Sequence, residues 1–225
     1  TSMYSLADTY FVSYLGTSAT AAVGVNFSLD NLIMTVGAFL AVGANSFIAR
    51  LLGAKQDQKA SQVLSTTFFT AVFAGLLVAI MGLVFLDPLV RGLGATENII
   101  QYSKDYAGYV LLAAPFMASS FVMNQCLRSE GSALFSMIGM VSGAVLNIAL
   151  DPLFILGFGW GVKGASAATA ISKVVSFIIL FIPYIRRTSL LHLSARNIHF
   201  SREIVSEVAK MGFPAMMRSG LAAVS

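Results

Sequence analysis

The sequence predicts an all-α, polytopic membrane protein in which transmembrane helices pack as a bundle. Of its 225 residues, 57% are hydrophobic and only 11% are charged, and the mean hydropathy is +0.81. Soluble domains carry about 25% charged residues, so the composition indicates a chain adapted to lipid. Apolar stretches of the roughly 20 residues that a membrane crossing requires recur along it.

Seven such stretches follow one another, separated by short segments rich in Gly, Pro and polar residues, which end helices. The predicted helices span residues 3–15, 19–49, 60–86, 97–127, 132–156, 162–185 and 203–225. The first and the last are incomplete, and Thr1 is not an initiator Met, so we expect the numbering to begin inside a longer chain. Residues 186–202 form the one long polar connection, which predicts a domain boundary. Residues 1–187 are accordingly assigned to one membrane domain, 188–202 to a cytoplasmic linker and 203–225 to the start of a further helix.

Lys and Arg concentrate in alternate connections. Arg50, Lys55 and Lys59 follow the second predicted helix, and the long connection carries an arginine run, whereas Arg91 and Lys163 stand alone after the third and fifth helices. Loops rich in Lys and Arg stay cytoplasmic, which predicts that odd helices run outward and even helices run inward. The basic residues form no patch interleaved with aromatic residues, so no nucleic-acid partner is expected.

The sequence lacks the motifs that mark other functional classes. The single Cys126 lies inside an apolar run and indicates packing rather than a disulfide or metal site, and His192 and His199 lie in the polar connection. The sequence contains no zinc-peptidase motif, nucleophile elbow or phosphate loop. It therefore predicts neither an enzyme nor a cofactor.

Four charged residues fall within apolar stretches, where charge is costly and usually marks a pathway or a partner: Asp8, Asp30, Asp151 and Lys173. With a helical rise of about 1.5 Å per residue, Asp8 lies about 12 Å and Asp151 about 8 Å below the predicted outer ends of their helices. The two carboxylates are therefore expected at similar depths.

Further polar residues fall in the same layer. Asn147 precedes Asp151 by four residues and shares its helix face, while Thr169 and Tyr106 lie about 10 and 14 Å deep. Oxygen-rich clusters of this kind suit a hard monovalent cation such as Na⁺, or proton exchange. Two neighbouring carboxylates in a medium of low dielectric cannot both ionise cheaply, so one of them is expected to carry a proton. The alternative is structural, with Asp8 and Asp151 capping kinks or accepting hydrogen bonds between helices.

Lys173 follows Thr169 by one turn, on the same helix face. It is placed to neutralise Asp151 or Asp8, or to pair with Asp30 as a structural bridge. An ammonium group within the cluster would compete with a bound metal cation and would favour protons. Asp30 and Lys173 are therefore candidates for a modulating pair.

Several motifs together resemble those of one transporter family. The longest runs through residues 146–155 (LNIALDPLFI) and 161–172 (GVKGASAATAIS), and shorter ones are residues 8–12 (DTYFV), 49–54 (ARLLGA) and 127–131 (LRSEG). This pattern resembles prokaryotic multidrug and toxic compound extrusion transporters. The resemblance implies a twelve-helix protein of two six-helix lobes, of which this chain would form the first lobe and the start of the seventh helix.

The resemblance further implies a secondary active antiporter of the prokaryotic plasma membrane that exports amphiphilic, often cationic, drug-like compounds in exchange for H⁺ or Na⁺. Its partners would be the bilayer, the exported compounds and a second lobe. The family's coupling residues would correspond to Asp8, Tyr106, Asn147, Asp151 and Thr169, with Asp8, Asn147, Asp151 and Thr169 as a candidate Na⁺ site. Charge at Asp30 and Lys173 departs from the family pattern.

Two other interpretations remain open. A lipid-linked oligosaccharide flippase of related architecture would share the helix count, but it would favour a basic cavity for phosphates, whereas Asp8 and Asp151 are acidic. A membrane scaffold without transport activity would use the intramembrane polar residues only for helix packing.

Overall fold

The structure is a computed structural model that describes residues 9–224, and these residues form helices and connections without a β-strand. Residues 9–13 belong to the first helix, α1. The remaining elements are α2 (Thr17–Gly53), α3 (Asp57–Val84), α4 (Leu86–Gly92), α5 (Ile100–Ser129), α6 (Ala133–Pro152), a π-helical turn (Leu153–Gly157), α7 (Val162–Ile185), a 3-10 turn (Ala195–Asn197) and α8 (Arg202–Val224).

Five helices of the described chain are long and apolar enough to cross a membrane. They are α2, α3, α5, α6 with its π-helical turn, and α7, and their most apolar segments have mean hydropathies of 1.5 to 2.3. Each corresponds to one of the five complete spans predicted from the sequence. The prediction of an all-α integral membrane protein is therefore confirmed.

The structure differs from the sequence prediction around proline residues. Asp87 and Pro88 fall in the predicted connection between the helices over residues 60–86 and 97–127, but both lie in the first turn of the short helix α4, where proline is tolerated because the first N–H groups have no helical partner. Pro115 lies inside α5, in agreement with the single helix predicted over residues 97–127. The fifth predicted span does not continue as a regular α-helix, because α6 ends at Pro152 and gives way to the π-helical turn.

Four helices end in the same hydrogen-bonded motif. After α5, the N–H of Gly131 donates to the carbonyl of Arg128, and the N–H of Ser132 donates to the carbonyl of Leu127. This pair of bonds is the Schellman motif, which requires a left-handed residue, and Gly131 adopts a φ of +85°. The same two bonds close α2, α4 and α7, where the left-handed positions are Lys55, Gly94 and Arg187. These motifs explain the abrupt ends of the helices.

The described helices divide into two compact units, each built from three segments of the chain. The first comprises Thr1–Leu32, Leu76–Ala114 and Val141–Val175, and the second comprises Ile33–Gly75, Pro115–Met140 and Ser176–Ser225. The long helix α2 contributes residues to both. Cys126 is fully buried in the apolar core of the second unit, as expected for a packing residue.

In the second unit, the polar connection after α7 is bound along α3 by side-chain hydroxyl groups. Ser61 Oγ accepts a hydrogen bond from the N–H of His192 (3.0 Å), and Ser65 Oγ accepts one from Ser194 (3.2 Å). Thr66 Oγ1 accepts one from the N–H of His199 (3.0 Å). The connection is therefore held along α3 by hydrogen bonds that its own main-chain N–H groups donate.

The start of this connection is fixed by Glu130, which lies between α5 and α6. Its carboxylate accepts hydrogen bonds from the hydroxyl of Ser189 (2.6 Å) and from the N–H groups of Leu190 (2.9 Å) and Leu191 (3.3 Å). Leu191 is 1% exposed and belongs to the core of the second unit. Burial raises the pKa of Glu130, and the hydrogen bonds oppose that shift.

Glycine allows backbone contact between α2 and α8 in the second unit. A Cβ atom at Gly43 would lie 2.2 Å from the carbonyl oxygen of Val208, and one at Gly212 would lie 2.2 Å from that of Phe39. Small residues permit such close helix approach within membranes. The two helices are further joined by an ion pair between Arg50 of α2 and Glu207 near the start of α8, at 2.6 Å.

Candidate functional site

The first unit contains a buried polar triad of Asn147, Asp151 and Thr169. The amide nitrogen of Asn147 donates to Oδ1 of Asp151 and to Oγ1 of Thr169, both at 3.2 Å. Asn147 and Asp151 are 0% exposed and Thr169 is 2% exposed. The structure therefore brings together three of the residues that depth and helical spacing had placed in one layer.

The position of Asp151 follows from its place in α6. Asn147 lies one turn earlier on the same face, so the amide reaches the carboxylate within one helix. Directly after Asp151 come Pro152 and the π-helical turn. π-Helical turns are rare and are frequent at functional sites.

Thr169 reaches this cluster from α7 because α7 approaches the π-helical turn closely. A Cβ atom at Gly164 would lie 2.8 Å from the carbonyl carbon and oxygen of Phe154. Glycine is therefore required for this spacing, since main-chain atoms cannot move aside as a flexible side chain can. Gly164 precedes Thr169 by five residues in the same helix, and it sets the distance at which the threonine hydroxyl meets Asn147.

A second buried polar contact, which sequence reasoning missed, joins α2 to α5. Asn26 is 0% exposed, and its amide nitrogen donates to the carbonyl oxygens of Ala22 (2.9 Å) and Ser103 (3.1 Å). Tyr106 lies one turn beyond Ser103 and is 3% exposed. Asn26 precedes Asp30 by one turn, and this spacing of polar residues in an apolar helix is the signal that could have revealed it.

The other predicted residues are placed as follows. Asp30 and Lys173 belong to the first unit and are both partly buried, and their action as a modulating pair stays a prediction. Asp8 lies outside the described residues, so its approach to Asp151 also stays a prediction.

The triad has the chemistry of a small cation or proton site. A fully buried carboxylate is costly when ionised unless a partner compensates its charge, and here the amide of Asn147 donates a hydrogen bond to it. Carboxylate, amide and hydroxyl oxygen atoms are also the ligands that hard cations prefer. These are the donor groups that a proton or monovalent-cation site requires.

The family model named MatE matches residues 1–153 of the chain. The chain belongs to the MatE family. This MatE chain is 33% identical over 224 residues to the multidrug export protein MepA of Staphylococcus saprophyticus, and the match covers 99% of the chain and 50% of MepA. The family is one of transporters rather than enzymes.

Solved structures agree with this assignment. The MatE chain matches the inward-facing conformation of a multidrug resistance MATE family transporter with a TM-score of 0.91 and 34% identity, over 96% of the chain and 50% of that protein. An outward-facing structure of a MATE family transporter gives a TM-score of 0.88 and 35% identity, over 97% and 49%. The chain spans about half the length of the curated relatives it matches, and the half it represents is the amino-terminal lobe.

Proposed function

We propose that this chain is the amino-terminal part of a secondary active multidrug efflux antiporter, in which Asp151 binds the coupling ion. The observation that carries the proposal is the fully buried carboxylate of Asp151, held by Asn147, which also binds Thr169 on another helix. Related proteins named multidrug export proteins support export as the overall activity. Residues 188–202 then form a cytoplasmic linker, and residues 203–225 begin the second lobe.

The coupling mechanism follows from the cost of burying charge. When Asp151 binds a proton or a cation, the negative charge is compensated and the triad is stable in the low-dielectric interior. When the ion leaves, a cationic substrate is the favourable replacement partner. Asp8 and Tyr106 complete this site. The coupling ion, which moves inward, and the exported compound, which is amphiphilic, often cationic, and moves outward, therefore cannot bind at the same time. Alternating access requires two units that move against each other, and a second lobe supplies the other unit.

The coupling ion is H⁺ or Na⁺. Lys173, four residues after Thr169 on α7, favours H⁺ because an ammonium group repels a bound metal cation. The prokaryotic plasma membrane is the proposed location, since the matched export proteins are bacterial and the inward-directed gradients of H⁺ and Na⁺ are available there.

Transport measurements on cells that express the transporter carrying this chain test the proposal. Asp151→Asn and Asp8→Asn should each abolish the dependence of efflux on pH or on sodium, because an amide cannot exchange a proton or hold a cation by charge. Asp57→Asn, which removes an exposed carboxylate at the start of α3, is the matched control and should behave as the wild type. Unchanged ion dependence in both test variants would refute coupling through this site.

A further inference from the structure

The first unit contains a second concave site, separate from the buried triad. A cleft of about 370 Å³ opens where the start of α2, the first turns of α5 and the connection before α7 meet. This volume falls within the range of small-molecule sites, roughly 300 to 1,000 Å³. The side chains used below are Tyr102, Asp105, Trp160 and Lys163. The distribution of Lys and Arg predicts that this end of the helices faces outward.

The aromatic wall of the cleft is accessible. Trp160 is 54% exposed and Tyr102 is 45% exposed. The indole ring of Trp160 packs against the rings of Phe154 and Phe158, with centroids 5.4 and 5.7 Å away. Electron-rich aromatic faces attract organic cations, and tryptophan does so most strongly.

The cleft also contains the carboxylate of Asp105, and the ammonium group of Lys163, which is paired with it, is easily displaced. Oδ1 of Asp105 accepts a hydrogen bond from the amide of Gln101 (3.2 Å) and lies 3.5 Å from Nζ of Lys163. The Lys163 side chain is 56% exposed, whereas that of Asp105 is only 20% exposed. Exposed ion pairs contribute little to stability, so an incoming cation can replace the lysine.

We propose that this cleft binds an organic monocation that carries an aromatic or apolar group. The cationic centre takes the place of Lys163 beside Asp105, and the apolar group lies against Trp160 and Tyr102. A role for this cleft as a binding site on the path of exported cations rests on the proposed export function. Binding itself does not depend on it.

Trp160 provides a direct assay because it is the single tryptophan of the chain. The probe is phenyltrimethylammonium, which is permanently charged, soluble and aromatic, added to the purified chain in detergent micelles. Saturable change of tryptophan fluorescence is expected. Asp105→Asn should weaken binding by about tenfold, because the Coulombic attraction between the carboxylate and the cationic centre is lost, and Lys163→Gln should strengthen it several-fold because the competing cation is gone.

Three controls make the result decisive. Tyr102→Ala should weaken binding, while Tyr102→Phe should retain it because the aromatic face remains. Glu97→Gln removes an exposed carboxylate that pairs with Arg91 outside the cleft and should bind the probe as the wild type does. The neutral isostere tert-butylbenzene should produce no saturable change.

Other outcomes would overturn the proposal. Equal affinity in all cleft variants would mean that Trp160 and Tyr102 serve only as anchors at the membrane surface. Equal losses in Asp105→Asn and Glu97→Gln would mean that the probe senses only overall surface charge. Because fluorescence reports binding and not transport, failure here leaves the ion-coupling test of Asp151 unaffected.

Discussion

Adding one methyl group at Gly164 tests whether the spacing of α6 and α7 holds the buried triad together. The Cβ atom of Gly164→Ala would lie 2.8 Å from the carbonyl carbon and oxygen of Phe154, and 3.1 Å from the nitrogen of Ile155. Carbon atoms in contact are ordinarily about 3.5 Å apart. The main chain of α7 must therefore move away from the π-helical turn by about 0.7 Å.

This displacement is large enough to affect the triad. The hydrogen bond from Asn147 to Thr169 is already 3.2 Å long, and bonds of about 3.6 Å no longer count as hydrogen bonds. The bond from Asn147 to Asp151 lies within α6 and is unaffected. Overpacking costs about 1–3 kcal/mol, and the higher helix propensity of alanine returns at most about 1 kcal/mol. With the hydrogen bond, worth about 1 kcal/mol, the net loss is about 1–3 kcal/mol.

The assay is thermal unfolding followed with a thiol-reactive fluorescent maleimide. Cys126 is the only cysteine of the chain and is fully buried, so it reacts only when the protein unfolds. A loss of about 1 kcal/mol lowers the Tm of a chain of this size by about 2–4 °C, so Gly164→Ala should melt about 2–12 °C below the wild type. The control is Gly108→Ala in α5, where an added Cβ meets no atom within 4 Å, and its Tm should not fall. The reasoning is refuted if Gly164→Ala melts with the wild type or if both variants fall equally.

Two further predictions concern the second unit. Because burial raises the pKa of Glu130 above its ordinary 4.5, the stabilisation linked to its protonated form is fully present below about pH 4.5 and is lost as pH rises through the raised pKa. The Tm of the wild type should therefore fall with rising pH more steeply than that of Glu130→Gln, and parallel curves would contradict this linkage. Gly43→Ala, whose Cβ would lie 2.2 Å from the Val208 carbonyl oxygen, should lower the Tm by several degrees. Gly53→Ala, in open space in the same helix, should not, and equal Tm values for the two variants would argue against backbone contact between α2 and α8.

The spans and the triad were accessible from the sequence because both depend on local periodicity. An apolar run of fixed minimum length predicts a span whatever it packs against. The i, i+4 relation of Asn147 and Asp151 needs only the geometry of one helix, and counting inward from the ends of neighbouring helices was enough to place Thr169 at their level. In the structure Asn147 is hydrogen-bonded to both residues, and their role in ion coupling stays a prediction.

What the sequence did not predict depends on contacts between distant segments. The bond from Asn26 to Ser103 uses a main-chain carbonyl, which leaves no trace in the identity of residue 103. The π-helical turn after Pro152 and the close approach of Gly164 to Phe154 depend on tertiary packing rather than on local propensity. The short helix α4 was missed because Pro88 signals a break but is equally suited to a first helical turn.

The attachment of the polar connection to α3 has a consequence for how this segment can diverge. Its bonds to Ser61, Ser65 and Thr66 use the main-chain atoms of His192, Ser194 and His199, and every residue type except proline offers the same N–H groups. Substitutions at these three positions should therefore accumulate freely. An insertion or deletion of a single residue would instead move each N–H away from its hydroxyl acceptor, so selection should act on the spacing of these positions far more strongly than on their side chains.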